Sequence, residues 1–506
     1  MKKLGVVFLI IVLSLAFSIH GSATTTPKAN PTGLKLVPLK VTGEPIIAFN
    51  FVFHTGSMDD PEGKCGLANL TAQLMAEGGT QTDSYKAILE KLFPIAGSYT
   101  VSVDREYISF TGETHADNIE SFYTLFKDAL LKPGFSEEDF NRIKSAAIDS
   151  IKNTLRYSSD EELGKAVFKS FVYRGTAYEK PVIGKVSDLE QITLADVKQF
   201  YKTHFLRTNL IAGISGNFSD AMLNRIKTDF SALPGGTIAR KPIKPEAING
   251  IQVLIVDKPS ESAGIHIGFP IDVMRKDPDF YALFLANSWF GEHRSSASHL
   301  YQVIREARGF NYGDYSYVED FPRGGERMLP PTNVCKNPQL FEIWLRPMEK
   351  DKRVFALRAA LRELKLLVDH GMTRENFELT KNYLSRHYLH YAVSGAKRLG
   401  YKIDDGIYGL KESYLENFRK HIDGLTLEKV NNAIKKHLRC DNLKIVCVTG
   451  DGEKLKADLT GNVVSSITYR TPKPEEVLNE DKIIEAFPLK ILPENVRIID
   501  IDHVFK

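Results

Sequence analysis

Cysteine is scarce in this chain, and no two cysteines make a motif. Cys65, Cys335, Cys440 and Cys447 are the only four in 506 residues, and none forms C-x-x-C. That excludes a disulfide-stapled scaffold and a thiolate zinc module. One or two bridges stay open, although Cys447 falls in a strand-like run and reads as a buried thiol. Charge of one sign is lacking too. Lys+Arg 66 against Asp+Glu 63 leave a net charge of +3 with the signs mixed, so nothing points to nucleic acid. There is no G-x-S-x-G, no cysteine-nucleophile signature, no phosphate-binding glycine loop, and no H-x-x-E-H in either direction. The apolar run Leu4 to Phe17 is too short for a membrane span. With Lys2-Lys3 before it and Gly21-Ser22-Ala23 after it, this run reads as a signal peptide over residues 1–23, with an uncleaved anchor as the alternative. No cysteine stands at the expected cleavage point, which argues against a lipoprotein. The expectation is an exported protein, periplasmic or secreted.

What is present is a globular composition, 43% hydrophobic and 25% charged, and a sequence that repeats itself. Ile192-Thr193-Leu194-Ala195-Asp196-Val197 recurs as Leu425-Thr426-Leu427-Glu428-Lys429-Val430. At the same spacing, His204 and Asn209 recur as His437 and Asn442, each followed by an apolar run that ends in Gly216 or Gly450. Upstream, Gly134-Phe135-Ser136-Glu137 pairs with Gly371-Met372-Thr373-Arg374, and Ser136 and Thr373 read as helix N-caps. Matches in the same order at nearly one offset indicate an internal duplication. The boundaries read as a first half over 30–235, a Pro/Gly/Lys-rich linker over 236–252, a second half over 253–462 and an extension over 463–506. In the extension, Val496–Ile501 reads as a terminal strand packed back on the core, with disorder of the first part as the alternative. In the first half, Leu34–Val41 and Ile46–Phe53 read as antiparallel strands, with more strands near Tyr99–Val103 and Tyr107–Thr111. Helices are expected over Gly66–Ala76, Ile119–Leu131 and Glu137–Leu155. This is an α+β class, an antiparallel sheet packed with helices, built twice.

The chemistry centres on the stretch from Gly66 to Gly79. Leu67, Leu70, Leu74 and Met75 make one apolar helix face; Asn69, Ala72, Gln73 and Ala76 make a second face that is small or neutral. The frame resembles the metal-binding helix of the pitrilysin/insulinase zinc peptidases, which include the mitochondrial processing peptidases. Members that cut peptides carry H-x-x-E-H here. By that resemblance Asn69 stands at the first His, Ala72 at the Glu and Gln73 at the second His. The third zinc position falls near Ala147-Ile148-Asp149-Ser150, with Asp149 as its candidate. The edge strand that pairs with substrate backbone corresponds to Gly97–Val101. Catalytic zinc needs about three His or carboxylate ligands and an open position. Carboxamides are weak ligands, and Ala72 cannot act as a base.

The second half holds Arg305-Glu306-Ala307-Arg308-Gly309-Phe310-Asn311-Tyr312. It reads as a helix capped by Gly309, then a strand with Tyr312 at its start. It resembles the family's R-E-x-x-G-x-x-Y segment, whose Arg and Tyr reach substrate at the zinc, from the second half or from a partner subunit. The resemblance implies substrate-binding roles for Arg305 and Tyr312; without it, Arg305 and Arg308 read as surface charges. His387 and His390, Glu292-His293 and His299 form no ligand set in the sequence, and Trp289-Phe290-Gly291 reads as core. The resemblance covers about Leu34 to Gly452. It implies two tandem α/β-roll halves in a clam-shell and a catalytically inactive chain that holds no metal or other cofactor. The chain would be the non-catalytic, substrate-binding subunit of an exported heterodimeric zinc peptidase acting on peptides. The catalytic partner, of the same family, would carry the zinc; in isolation the chain could pair with itself. The alternatives are a peptide-binding or assembly protein without a catalytic role, and a zinc peptidase with a displaced metal site.

Overall fold

In a computed structural model of the chain, which describes residues 33–506, the first two apolar runs become β1 (Lys35–Lys40) and β2 (Ile46–Phe53). The expected signal peptide lies outside the described residues. Three more strands follow in the first half: β3 (Ser98–Val103), β4 (Ile108–His115) and β5 (Leu210–Gly216). They form one sheet in the order β1-β5-β2-β4-β3. The first two runs are antiparallel, as read, but they do not pair with each other. β5 lies between them, parallel to β1 and antiparallel to β2. The residues explain this: β2 is buried from Ile47 to Phe53 and needs a neighbour on both sides. β5 is almost wholly apolar and suits the interior. β1 carries Pro38 and ends in lysines, which suits an edge.

Among the helices of the first half are α1 (Leu67–Glu77), α2 (Ile119–Leu131), α3 (Glu137–Asp149), α4 (Asp160–Val172), α5 (Leu194–His204) and α6 (Asp220–Phe230). Ser136 caps α3 by accepting from the Asp139 amide, and Thr193 caps α5 with a reciprocal bond from Asp196. The helix expected to run to Leu155 changes character at Ser150, where a wider π-helical stretch, Ser150–Ser158, takes over.

The second half repeats the plan. Its strands β6 (Gln252–Asp257), β7 (Ser262–Ile271), β8 (Asp314–Tyr317), β9 (Gln339–Glu349) and β10 (Lys444–Thr449) stand in the matching order β6-β10-β7-β9-β8. Among its helices are α7 (Phe280–Gly291), α8 (Arg353–His370), α9 (Arg374–His387), α10 (Gly395–Ile407), α11 (Leu427–His437) and α12 (Gly452–Thr460). Thr373 and Thr426 cap α9 and α11, as Ser136 and Thr193 cap their counterparts. β11 (Val496–Asp500) adds to the free edge of β6 in parallel, so the extension does pack back on the core. Phe290 is buried in the core and Trp289 packs against it. All four cysteines are free thiols, and burial pushes Cys65 and Cys447 up to about 12.

The halves are interlocked, which the sequence did not announce. Helix α4 of the first half packs on β7 and β10 of the second. There Leu163 and Phe168 meet Val446 and Val448. Its repeat counterpart α10 packs on β1, β2 and β5, with Leu399 and Ile403 against Val37 and Val52. Each half thus lends one helix to cover the other's sheet. The closeness of this exchange is set at Gly164, where an added Cβ would stand 2.4 Å from Nε2 of His266. His266 cannot retreat. It is fully buried, its Nδ1 lies 2.7 Å from Oε1 of Glu342, and its ring sits among Phe168 and Trp344. Gly164→Ala should therefore cost about 1–3 kcal/mol by overpacking, even though alanine is the better helix former. Denaturant unfolding with an unchanged or raised midpoint would contradict this.

Candidate functional site

Helix α1 is placed by the turn before it. Asp60 is buried, and its carboxylate accepts from the Gly66 and Ala68 amides at 2.7 Å each. This pins the helix start from outside the helix. Burial raises the Asp60 pKa to about 7, against the pull of those two amides and of Lys180. From that anchor, Asn69, Gln73 and Glu77 line up along one side of α1. They face a cavity of about 890 Å³ that lies between the halves. The second face expected for α1 is only partly realised: Asn69 and Gln73 are half-buried at the cavity, whereas Ala72 and Ala76 are turned into the core.

The opposite wall is β3. It is an edge strand, paired only with β4, and Thr100 to Val103 line the cavity along its length. Helix α3 closes the third side with Arg142, Ile143 and Ala146. Asp149, the candidate for a third ligand position, is not there. It is exposed and accepts from Asn153 one turn on, while Ala147 and Ser150 line the cavity in its place. These residues do not fit zinc. At the motif positions the cavity offers two carboxamides and, at the third, an alanine or a serine hydroxyl, where three strong donors are needed; Glu77, the one carboxylate on that side of α1, belongs to no ligand group. Among the described residues no group of three or more His, Cys, Asp or Glu side chains is arranged to hold a metal.

The roof of the cavity comes from a part of the second half that sequence reading passed over. Between β3 and β4 the chain turns in four residues, Asp104 to Tyr107; between β8 and β9 the corresponding connection runs from Val318 to Pro338. This long loop reaches into the first half. Lys336 lies 2.5 Å from both Asp104 and Asp320, and Lys169 lies 2.5 Å from Asp320. Burial works against these charges, but Lys169 and Lys336 outweigh it and hold the Asp320 carboxyl well below the usual range. Asn333 accepts from Asn50 of β2 at 2.8 Å and donates to Asp404 of α10. The loop brings Arg323 and Arg327 to the cavity wall. The break in repeat length here was the available signal.

Arg305 and Tyr312 do not line this cavity. Arg305 pairs with Glu306 at 2.8 Å and lies over the Tyr301 ring. Tyr312 is 78% exposed and precedes β8 by two residues instead of starting it. Its helix has a π-helical stretch over Tyr301–Glu306, and Gly309, at φ 72°, ends it as expected. Arg308 is no surface charge. It is buried, with Nε 2.8 Å from Asp481 and Nη2 2.8 Å from Glu480. His387 ends α9 and His390 stands in the short turn after it, their rings 5.3 Å apart.

Comparison with known proteins agrees with this geometry. The family profile described as "Insulinase (Peptidase family M16)" matches residues 40–185, and that described as "Peptidase M16 inactive domain" matches residues 191–384. A Helicobacter pylori protein named a non-peptidase homolog, YmxG, is 22% identical over 464 residues, covering 89% of this chain and 99% of its own. A Streptomyces coelicolor protein named an uncharacterized zinc protease is 23% identical over 366 residues, covering 70% of this chain and 74% of its own. Among solved structures, a peptidase M16 inactive domain from Pseudomonas fluorescens superposes with a TM-score of 0.73 at 22% identity. The match covers 83% of this chain and 96% of that one. This chain belongs to the insulinase family, M16, with its α+β fold of two tandem halves. Its relatives include proteins named as inactive homologues.

Rebuilding the motif in place should fail. Asn69→His, Ala72→Glu and Gln73→His together supply two imidazoles and a carboxylate. The third position remains alanine or serine, and residue 72 is fully buried. Each missing partner that would orient a zinc ligand costs roughly 10–100-fold, and a buried unpaired carboxylate is costly in itself. The triple variant should bind zinc weakly in a metal titration and hydrolyse peptide at background rate; robust turnover would contradict this.

Proposed function

We propose that this chain is the non-catalytic, substrate-binding subunit of an exported zinc peptidase pair. The observation that carries the reading is the combination at the central cavity. The face where the family holds its metal presents Asn69 and Gln73, while the edge strand β3 beside it keeps a free side along the same cavity. A chain of this kind can hold an extended peptide by strand addition but has nothing to activate water. The positions of Arg305 and Tyr312 also support the reading. Both stand outside the chain's own cavity, and Tyr312 is exposed, which suits an arm offered across an interface. There Arg305 would present its fork of donors to a substrate carbonyl or carboxylate. Tyr312 would donate to an oxygen that gains charge. The partner would be a catalytic member of the same family and would bring the zinc.

Affinity capture of the tagged chain from its native source, followed by sizing and metal analysis, tests this. A complex of two family members, with zinc in the other chain, is the expected result. A chain that elutes only as a monomer or homodimer, with no peptidase, would turn the reading towards a peptide-binding or assembly protein.

A further inference from the structure

The duplication gives the second half a groove of its own. It lies against α7, α9 and β8, as the central cavity lies against α1, α3 and β3, and encloses about 610 Å³. Aromatic rings of Phe284, Phe321 and Tyr383 form part of its wall. Among them stands the carboxylate of Glu292, just past the end of α7. It has no cationic partner among the described residues, and burial raises its pKa to about 7 despite the nearby Ser288 hydroxyl. The cations on the wall are engaged elsewhere or lie at the rim. Arg275 is held by Glu319 and Asp404 at 3.0 and 3.1 Å, Arg294 donates to the Gly325 carbonyl, and Lys397 is exposed.

Between aromatic walls the groove sets a half-buried carboxylate that has no cationic partner among the described residues. A half-buried carboxylate without a cationic partner attracts a positive charge, and so do ring faces. The geometry points to a binding site for an organic cation, an ammonium or guanidinium group on an apolar stem, with Glu292 as its counter-ion. A metal ion does not suit the place, since Glu292, His387 and His390 form no ligand group. The groove shares Val334 and Lys397 with the central cavity. The cation can therefore come from a basic side chain of a peptide lying in that cavity, or from a free amine. The site itself does not rest on the partner-subunit reading.

Calorimetric titration of the full chain with benzylamine and with the neutral benzyl alcohol tests the site without any variant. Benzylamine should bind at one site at least 10-fold tighter than the alcohol. Glu292→Gln, nearly isosteric, should abolish that preference while sizing and unfolding midpoint stay normal. A capped peptide with a single arginine, set against the same peptide with citrulline, separates the sources. Glu292-dependent binding of the arginine peptide assigns the groove to a basic side chain of substrate. Binding of benzylamine alone assigns it to a free amine. Equal affinity for amine and alcohol, no binding of any cation, or an undiminished preference in a folded Glu292→Gln would each overturn the inference.

Discussion

Arg308→Ala should lower the stability of the protein by about 3–5 kcal/mol, the cost of breaking a buried ion pair from one side. The guanidinium is fully buried as a side chain and ties the second half to the extension. Its Nε and Nη2 reach Asp481 and Glu480 on the helix Glu475–Ile484, and its Nη1 donates to the Val303 carbonyl at 2.7 Å. Without it Asp481 keeps only the Tyr469 hydroxyl, at 2.7 Å. The extension should then come loose first, with early proteolysis between residues 463 and 490. Asp481→Asn in the same chain should restore part of the loss, because no unpaired charge is left behind. The defect also carries a pH signature. Burial opposes the Glu480 charge, but Arg308 and Arg362 prevail and hold its carboxyl below the ordinary glutamate value of 4.5. Stabilisation from a depressed carboxylate is complete above the unfolded value and lost as pH falls through the folded one. The gap between wild type and Arg308→Ala should therefore be full at neutral pH and narrow below about 4.5. A gap that persists unchanged at pH 3, or a variant as stable as wild type, would contradict this account.

The second large effect concerns the assembled complex. If Arg305 contacts substrate across the interface, Arg305→Ala should lower kcat/KM roughly 10–100-fold, the equivalent of one charge-assisted hydrogen bond of about 1.5–3 kcal/mol. Tyr312→Phe should fall mainly on kcat if its hydroxyl favours the transition state over bound substrate. Both side chains are accessible in the lone chain, so neither change should disturb folding. Arg419, exposed and paired only with Asp423 on its own helix, provides the control: Arg419→Ala should leave activity unchanged. Arg308 cannot serve as the control, since its loss strikes the fold. Equal activity of wild type and both arm variants, in complexes of normal size, would remove Arg305 and Tyr312 from the substrate site.

How much of this was legible in the sequence follows the range of the interactions involved. Helix starts were legible where an N-cap was read, because a cap is local: Ser136 and Thr373 cap as expected, and the structure adds Thr193 and Thr426. The duplication was legible because it repeats the same local signals in order. Sheet order was not, since β5 enters between β1 and β2 from more than a hundred residues away. The exchange of α4 and α10 between the halves was equally hidden. Both helices are amphipathic, and nothing local says whose sheet they cover. At the site, the frame of α1 identified Asn69 and Gln73, but one residue of helical phase separates the exposed Asp149 from Ser150 at the cavity. The burial of Arg308 and the isolation of Glu292 depend on partners supplied, or withheld, by distant segments.

On this reading the face of α1 that carries the metal in catalytic family members is chemically silent here. The most direct measurement is the zinc content of the purified chain alone, after dialysis against a weak chelator and repletion with one equivalent of zinc. Substoichiometric zinc that washes out, with no peptide hydrolysis, is the predicted result. About one tightly held zinc per chain, with peptidase activity that follows the metal, would contradict it.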